Sequence, residues 1–205
     1  MLRGVLIGIL IGLLLVIIGV YYYFAGGLAP VATKAPTMPF EHKLANMALH
    51  SYLDKKPHSP APVPADEPNL LAGAKVYKDH CAVCHGLPGE PRSAIAEGMF
   101  PAPPQLFRGV GVTDDEVWET YWKSFDGIRM TGMPAFGEHL GETKTWQVSQ
   151  LLKNADKISP AVKAELLAPP DASHLMTAPP AAAPSASPSA TPSAPASPQP
   201  DHDHH

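Results

Sequence analysis

The chain opens on an apolar run: residues 4–24 hold no charged side chain and end in Tyr21-Tyr22-Tyr23-Phe24. A stretch of about 20 such residues crosses a hydrocarbon core as a helix, and aromatic rings settle at its boundary with water. Arg3 and the amino terminus precede the run, and no basic residue follows until Lys34. That asymmetry predicts a cytoplasmic N-terminus with the remainder on the far, periplasmic side of the inner membrane. A cleaved signal peptide, cut near Ala25-Gly26-Gly27, is the competing reading. Signal cores are shorter than this run, so an uncleaved anchor over residues 1–24 is expected.

Residues 25–68 read as a tether, punctuated by Pro30, Pro36, Pro39, Pro57, Pro60, Pro62, Pro64 and Pro68, which favour extended backbone. Within it, Leu44, Met47 and Ala48 fall at helical spacing and predict one short helix over residues 40–52. That helix is either a piece of linker or a segment that docks on the domain or on a membrane partner. His42, His50 and His58 are expected to be solvated.

Only residues 69–159 combine apolar periodicity with turn signals. Asn69 is placed to cap a helix through Leu70, Leu71, Ala74, Val76 and Tyr77. Thr113-Asp114-Asp115-Glu116 has the form of a capping box opening a second helix with Val117, Trp118, Tyr121, Trp122 and Phe125. A third runs from about Thr143 through Trp146, Val148, Leu151 and Leu152 to about Asp156. Residues 87–111 are rich in Gly and Pro and predict a long loop. No convincing strand alternation is present, so the domain is expected to be all-α. Residues 160–205 are expected to form a disordered tail, because their main part, the Pro/Ala/Ser/Thr tract over residues 168–200, lacks the large apolar side chains needed to offset the entropy of ordering. Their end, Asp201-His202-Asp203-His204-His205, is a polar tail with at most weak metal affinity.

The chemistry is concentrated in Cys81-Ala82-Val83-Cys84-His85, which contains the only two cysteines among 205 residues. This is the attachment signature of c-type haem: two thiols form thioethers to the vinyl groups, and the adjacent imidazole supplies an axial ligand. A redox dithiol calls for a strand–helix–strand context, a zinc site for a second ligand pair, and a disulfide for a very small strained ring. None of these suits the sequence. A core of about ninety residues is small, and a buried porphyrin would add apolar volume.

The second axial ligand is sought in Thr131-Gly132-Met133-Pro134-Ala135-Phe136-Gly137. A thioether is a soft ligand for haem iron, and Pro134 biases Met133 to extended backbone. His139 ranks second. Met130 lacks the shaping Gly and Pro, and Met99 reads as packing at the haem edge.

With these residues in place, residues 69–157 resemble a class I, bacterial monohaem cytochrome c. The resemblance rests on the Cys-x-x-Cys-His run, on Pro104-Gln105-Leu106 followed by Gly109, and on the Gly132-Met133-Pro134-Ala135-Phe136 loop before a terminal helix. It implies three or more helices wrapped around one covalent haem c on Cys81 and Cys84, with His85 proximal and Met133 distal. It further implies that the Pro104 carbonyl accepts from the other ring nitrogen of His85. The first and last helices would cross at Gly73 and Tyr77 against Trp146 and Leu152.

The expected function is a membrane-anchored carrier of single electrons, not an enzyme, serving membrane redox complexes or other cytochromes and bound to the bilayer through residues 4–24. A cytochrome subunit of a larger respiratory oxidoreductase, and a haem enzyme or gas sensor with a labile distal ligand, are the rivals. Residues 69–157 carry nine Lys/Arg against eleven Asp/Glu, so neither a strongly basic docking face nor a nucleic-acid partner is expected. Arg108 and Arg129 are candidate partners for the haem propionates.

Overall fold

The computed structural model describes residues 2–108 and 113–169. The His-rich end, most of the Pro/Ala/Ser tract and Gly109 lie outside these residues. Among the described residues there are helices and no strands, as the all-α expectation required.

Helix α1 (Leu2–Ala25) is long and apolar enough to cross a bilayer, and none of it is buried against the protein. Its length of about 36 Å exceeds the hydrocarbon thickness. Helix α2 (Glu41–Leu53) lies one residue from its predicted position.

The first helix of the domain, α3 (Glu67–Val76), starts earlier than predicted. Asp66, not Asn69, is its cap: Asp66 Oδ1 accepts from Asn69 N–H at 3.1 Å and from Asn69 Nδ2 at 2.7 Å. Asn69 serves elsewhere, its Oδ1 accepting from Gln147 Nε2 at 3.0 Å. Beyond α3 a π-helical turn (Tyr77–Cys81) leads into the short α4 (Ala82–His85). The predicted long loop is broken by one helical turn, α5 (Ala94–Gly98), whose first turn is capped by the Ser93 hydroxyl accepting from Ala96 N–H.

Helix α6 (Val117–Asp126) begins where the capping box ends, but no side chain caps it. Asp115 is engaged instead by cations of later turns: its carboxylate accepts from Lys123 Nζ at 2.6 Å and its carbonyl from Lys153 Nζ at 2.8 Å. Helix α7 (Gly137–Lys153) starts earlier and ends a turn sooner than predicted, and it breaks at Gly141 (φ 72°).

Gly73 is where α3 and α7 cross, and a Cβ there would overlap the Gln147 carbonyl and press on Leu151. Leu152 belongs to the same core cluster as Tyr77. Trp146 lies outside that cluster, and its ring stacks at 3.9 Å and 11° on Tyr121 of α6.

Two regions predicted to be free are packed. Helix α8 (Pro160–Leu167) occupies the start of the predicted disordered tail, with Val162 and Leu166 fully buried in the core. Ser159 caps it, and Glu165 accepts from Lys78 Nζ at 3.0 Å. Val162 and Leu166 stand at i and i+4, so both buried side chains lie on one face of the helix.

The second is residues 53–63 of the predicted tether, which form a strap over α6. Leu53 is 2% exposed. Tyr52 Oη donates to Asp126 at 2.8 Å, and Trp122 Nε1 donates to the Pro57 carbonyl at 3.2 Å. Lys56 pairs with Asp126 at 2.8 Å while its ammonium lies 4.2 Å from the Trp122 ring centre. His58, expected to be solvated, stacks on Trp118 at 3.9 Å. Gln150 Nε2 closes the strap by donating to the Val63 carbonyl at 2.9 Å.

Candidate haem site

The five motif residues sit at the exit of α3, where the chain widens into a π turn and then tightens into α4. Ala82 N–H reaches back to the Tyr77 carbonyl, which defines the wide turn. Such turns are uncommon and concentrate at functional sites. The widening places Cys81 and Cys84 at two ends of one short segment, both as free thiols. Burial pushes the Cys81 thiol up to about 12, with the neighbouring Cys84 charge as the smaller cause. A thiol so far from ionising at neutral pH is unlike the low-pKa nucleophile of a redox dithiol.

His85 ends α4, and Gly86 follows with φ 75°. The ring Nδ1 lies 2.8 Å from the Pro104 carbonyl. A carbonyl can only accept, so Nδ1 carries the proton and Nε2 keeps its lone pair. Burial holds the His85 pKa below the usual imidazole value, and the Pro104 bond opposes that in part. The ring is therefore neutral, with one nitrogen available to a metal. The sequence-derived pair His85 and Pro104 is thus brought together.

The same segment is braced from two further sides that sequence reasoning did not single out. Ser93 Oγ donates to the Val83 carbonyl at 2.6 Å. The Tyr77 hydroxyl, fully buried, donates to the Gly86 carbonyl at 2.6 Å. Tyr77 was legible as an apolar helix position and as the aromatic of the helix crossing; its hydroxyl bond spans nine residues and has no sequence signature.

Met133 is presented from a separate loop between α6 and α7, and its side chain is half-buried. The loop turns at Gly127 (φ 68°), where a Cβ would stand 2.6 Å from the Ala135 nitrogen. Ile128 N–H donates to the Met133 carbonyl at 3.2 Å. Thr131 Oγ1 accepts from Met133 N–H at 3.1 Å while donating to the Ile128 carbonyl at 2.7 Å. Phe136 N–H donates to the Ser124 carbonyl at 3.0 Å and ties the loop's end to α6. The Met133 backbone is fixed on both sides.

The competing ligands fare differently. Met130 is 91% exposed, with φ 60°. Met99 lays its thioether against Gly132, where any Cβ would overlap it. His139 is exposed, and its ring meets His80 at 5.4 Å. Arg108 is engaged with the Glu90 carbonyl at 2.7 Å, and Arg129 is exposed.

These residues fit a covalently held haem. Two unpaired thiols lie in one turn, beside an imidazole whose Nδ1 is committed and whose Nε2 is not. Partly buried Leu87, Leu106, Phe107 and Phe136 pack around the core next to them. Gln105 adds a buried amide nitrogen without a protein partner, a vacancy of the kind that a bound group fills.

Comparison with protein families gives one finding. Residues 68–152 match the family described as cytochrome C oxidase, cbb3-type, subunit III. No curated protein and no solved structure gives a significant match.

Proposed function

We propose that this chain is a membrane-anchored, monohaem electron carrier with His85 and Met133 as axial ligands, a reading supported by the cytochrome family match over residues 68–152, which implies haem binding and electron transfer. The observation that carries the proposal is the His85–Pro104 bond at the Cys81–Cys84 turn, which prepares Nε2 for a metal. Haem c held there supplies a one-electron Fe(II)/Fe(III) couple without bond-making to a substrate.

The chain's own residues do the rest. Cys81 and Cys84 anchor the group. The Pro104 carbonyl fixes the tautomer and plane of His85 and raises its basicity. The Thr131 and Ile128 bonds fix the Met133 backbone in its loop, and methionine opposite histidine favours a high potential. Helix α1 holds the domain at the inner membrane with its N-terminus in the cytoplasm, so the haem works on the periplasmic side. Anchoring raises its effective concentration at membrane redox complexes or other cytochromes.

A second reading is supported by the matched family's own description: the chain is a cytochrome subunit of a terminal oxidase. Co-purification of further subunits after gentle solubilisation supports that reading, and a monodisperse single chain supports the free carrier.

The test of the site is the absorption spectrum of the protein matured with a haem-attachment system, compared with Met133→Ala. Covalent c-type bands, with a thioether–iron charge-transfer band lost in the variant, are expected. Covalent haem with that band absent from both proteins removes Met133 and turns attention to His139 or to an open site that binds carbon monoxide. No covalent haem overturns the proposal.

A further inference from the structure

Tyr77 grips both ends of the attachment motif. Its carbonyl accepts from Ala82 N–H at the front, between the two cysteines. Its hydroxyl donates to the Gly86 carbonyl behind His85. Gly86 also closes α4, where the last carbonyls of a helix have no intrahelical partner. The hydroxyl therefore satisfies an acceptor that would otherwise be buried and unpaired.

Gly86 is confined from its other side as well. A Cβ there would stand 2.5 Å from Gln105 Oε1, so the Gln105 amide packs directly on the backbone. Gln105 follows Pro104, whose carbonyl holds His85 Nδ1. The Tyr77 ring meets Phe107 of the same segment edge-on at 5.0 Å. One tyrosine thus braces the chain just after His85 and the segment that orients the imidazole. A phenylalanine would fill the core as well as Tyr77 does, but it would leave the Gly86 carbonyl unsatisfied. Burial raises the phenol pKa above its usual value, so the group remains a donor at every physiological pH.

We propose that the Tyr77 hydroxyl is a positioning group for His85, setting the plane in which its imidazole meets the metal. The inference rests on His85 being the proximal ligand.

The test is Tyr77→Phe in the full, membrane-anchored holoprotein, beside Leu53→Ala, which weakens the fold from α2 without touching the motif. In Tyr77→Phe, the ferric low-spin g-values, which report the axial ligand planes, and the reduction potential are expected to shift. The Gly86 amide should exchange with solvent about tenfold faster, the local opening that follows loss of one buried hydrogen bond. Leu53→Ala should leave all three as in the wild type. Loss of stability in Tyr77→Phe with unchanged g-values, potential and Gly86 exchange overturns the inference and leaves Tyr77 as core filling. The wild type provides a measurement independent of the variant's folding: a slowly exchanging Tyr77 hydroxyl proton supports the bond, and a freely exchanging one overturns it. Wild-type protein without covalent haem overturns the functional reading itself, a result distinguishable from either of these.

Discussion

The haem-motif turn and the strap over α6 are held together in opposite ways. At the motif, backbone geometry and short-range bonds dominate. The Tyr77 hydroxyl reaches nine residues ahead to Gly86, and Ser93 Oγ reaches ten residues back to Val83. At the strap, side chains meet across long stretches of sequence. Tyr52 and Asp126 are 74 residues apart, Trp122 and Pro57 are 65, and Gln150 and Val63 are 87. The first region places reactive groups. The second covers the aromatic face of α6 and binds the chain after α2 to the domain. Substitutions in the motif region should therefore alter spectroscopy, and substitutions in the strap should alter stability and local opening.

The largest effect is expected at Gly73, which belongs to neither region but supports both. Gly73→Leu would drive a side chain into the α7 backbone at Gln147. Overpacking against backbone, which cannot yield as a side chain can, should destabilise by about 3 kcal/mol or more. Failure to accumulate folded holoprotein is the expected outcome. A variant that melts like the wild type would refute the tight crossing.

Next is Leu166→Ala on α8. Removing a fully buried leucine should cost about 3 kcal/mol in denaturant unfolding of the holoprotein. An effect near zero would show that residues 160–167 are not part of the domain core. Leu53→Ala should cost about 2 kcal/mol and raise hydrogen exchange across residues 53–63 while the absorption spectrum stays that of the wild type. A changed spectrum would erase the distinction between the two regions.

Trp118→Ala removes the stacking partner of His58 and should cost about 1 kcal/mol, confined to local opening of the strap. The smallest effect belongs to Lys56→Gln. Its pair with Asp126 is partly solvent-screened, both side chains being between a fifth and a third exposed. About 0.5 kcal/mol is expected, shrinking as salt is raised. An effect of several kcal/mol, or one indifferent to salt, would mean that the ion pair is far more secluded than its exposure indicates.

The legibility of the molecule follows the same division. Cys81, Cys84 and His85 stood out because the Cys-x-x-Cys-His spacing is local, and the structure gathers all three in one turn beside Pro104. Helix α1, long and apolar enough to cross a bilayer, was readable because its apolar run is continuous. The positions of α2, α3, α6 and α7 followed from helical periodicity, with ends misplaced by a few residues. Those ends depended on partners that periodicity does not report. Thr113-Asp114-Asp115-Glu116 had the form of a capping box, yet α6 begins only after Glu116 with no side-chain cap, and Asp115 inside the box is held by Lys123 and Lys153. Asn69 had the form of a cap, yet it bonds across to α7.

The strap and α8 were misread for a different reason. Proline-rich composition reports that a segment will not form a long regular helix or strand. It does not report whether an aromatic face elsewhere needs covering. Trp118 and Trp122 leave polar edges and apolar rings on α6, and residues 53–63 satisfy both. Likewise, Val162 and Leu166 look sparse within their own segment, yet both are fully buried in the cluster that holds Val76, Tyr77 and Leu151.

Sequence was thus sufficient for the spacing of the candidate attachment residues, the helical class and the one long apolar helix, because each is set within one short stretch. Tertiary structure was needed for the extent of the domain, the partner of each cap and the clamp on His85, because these depend on which distant groups share a desolvated space.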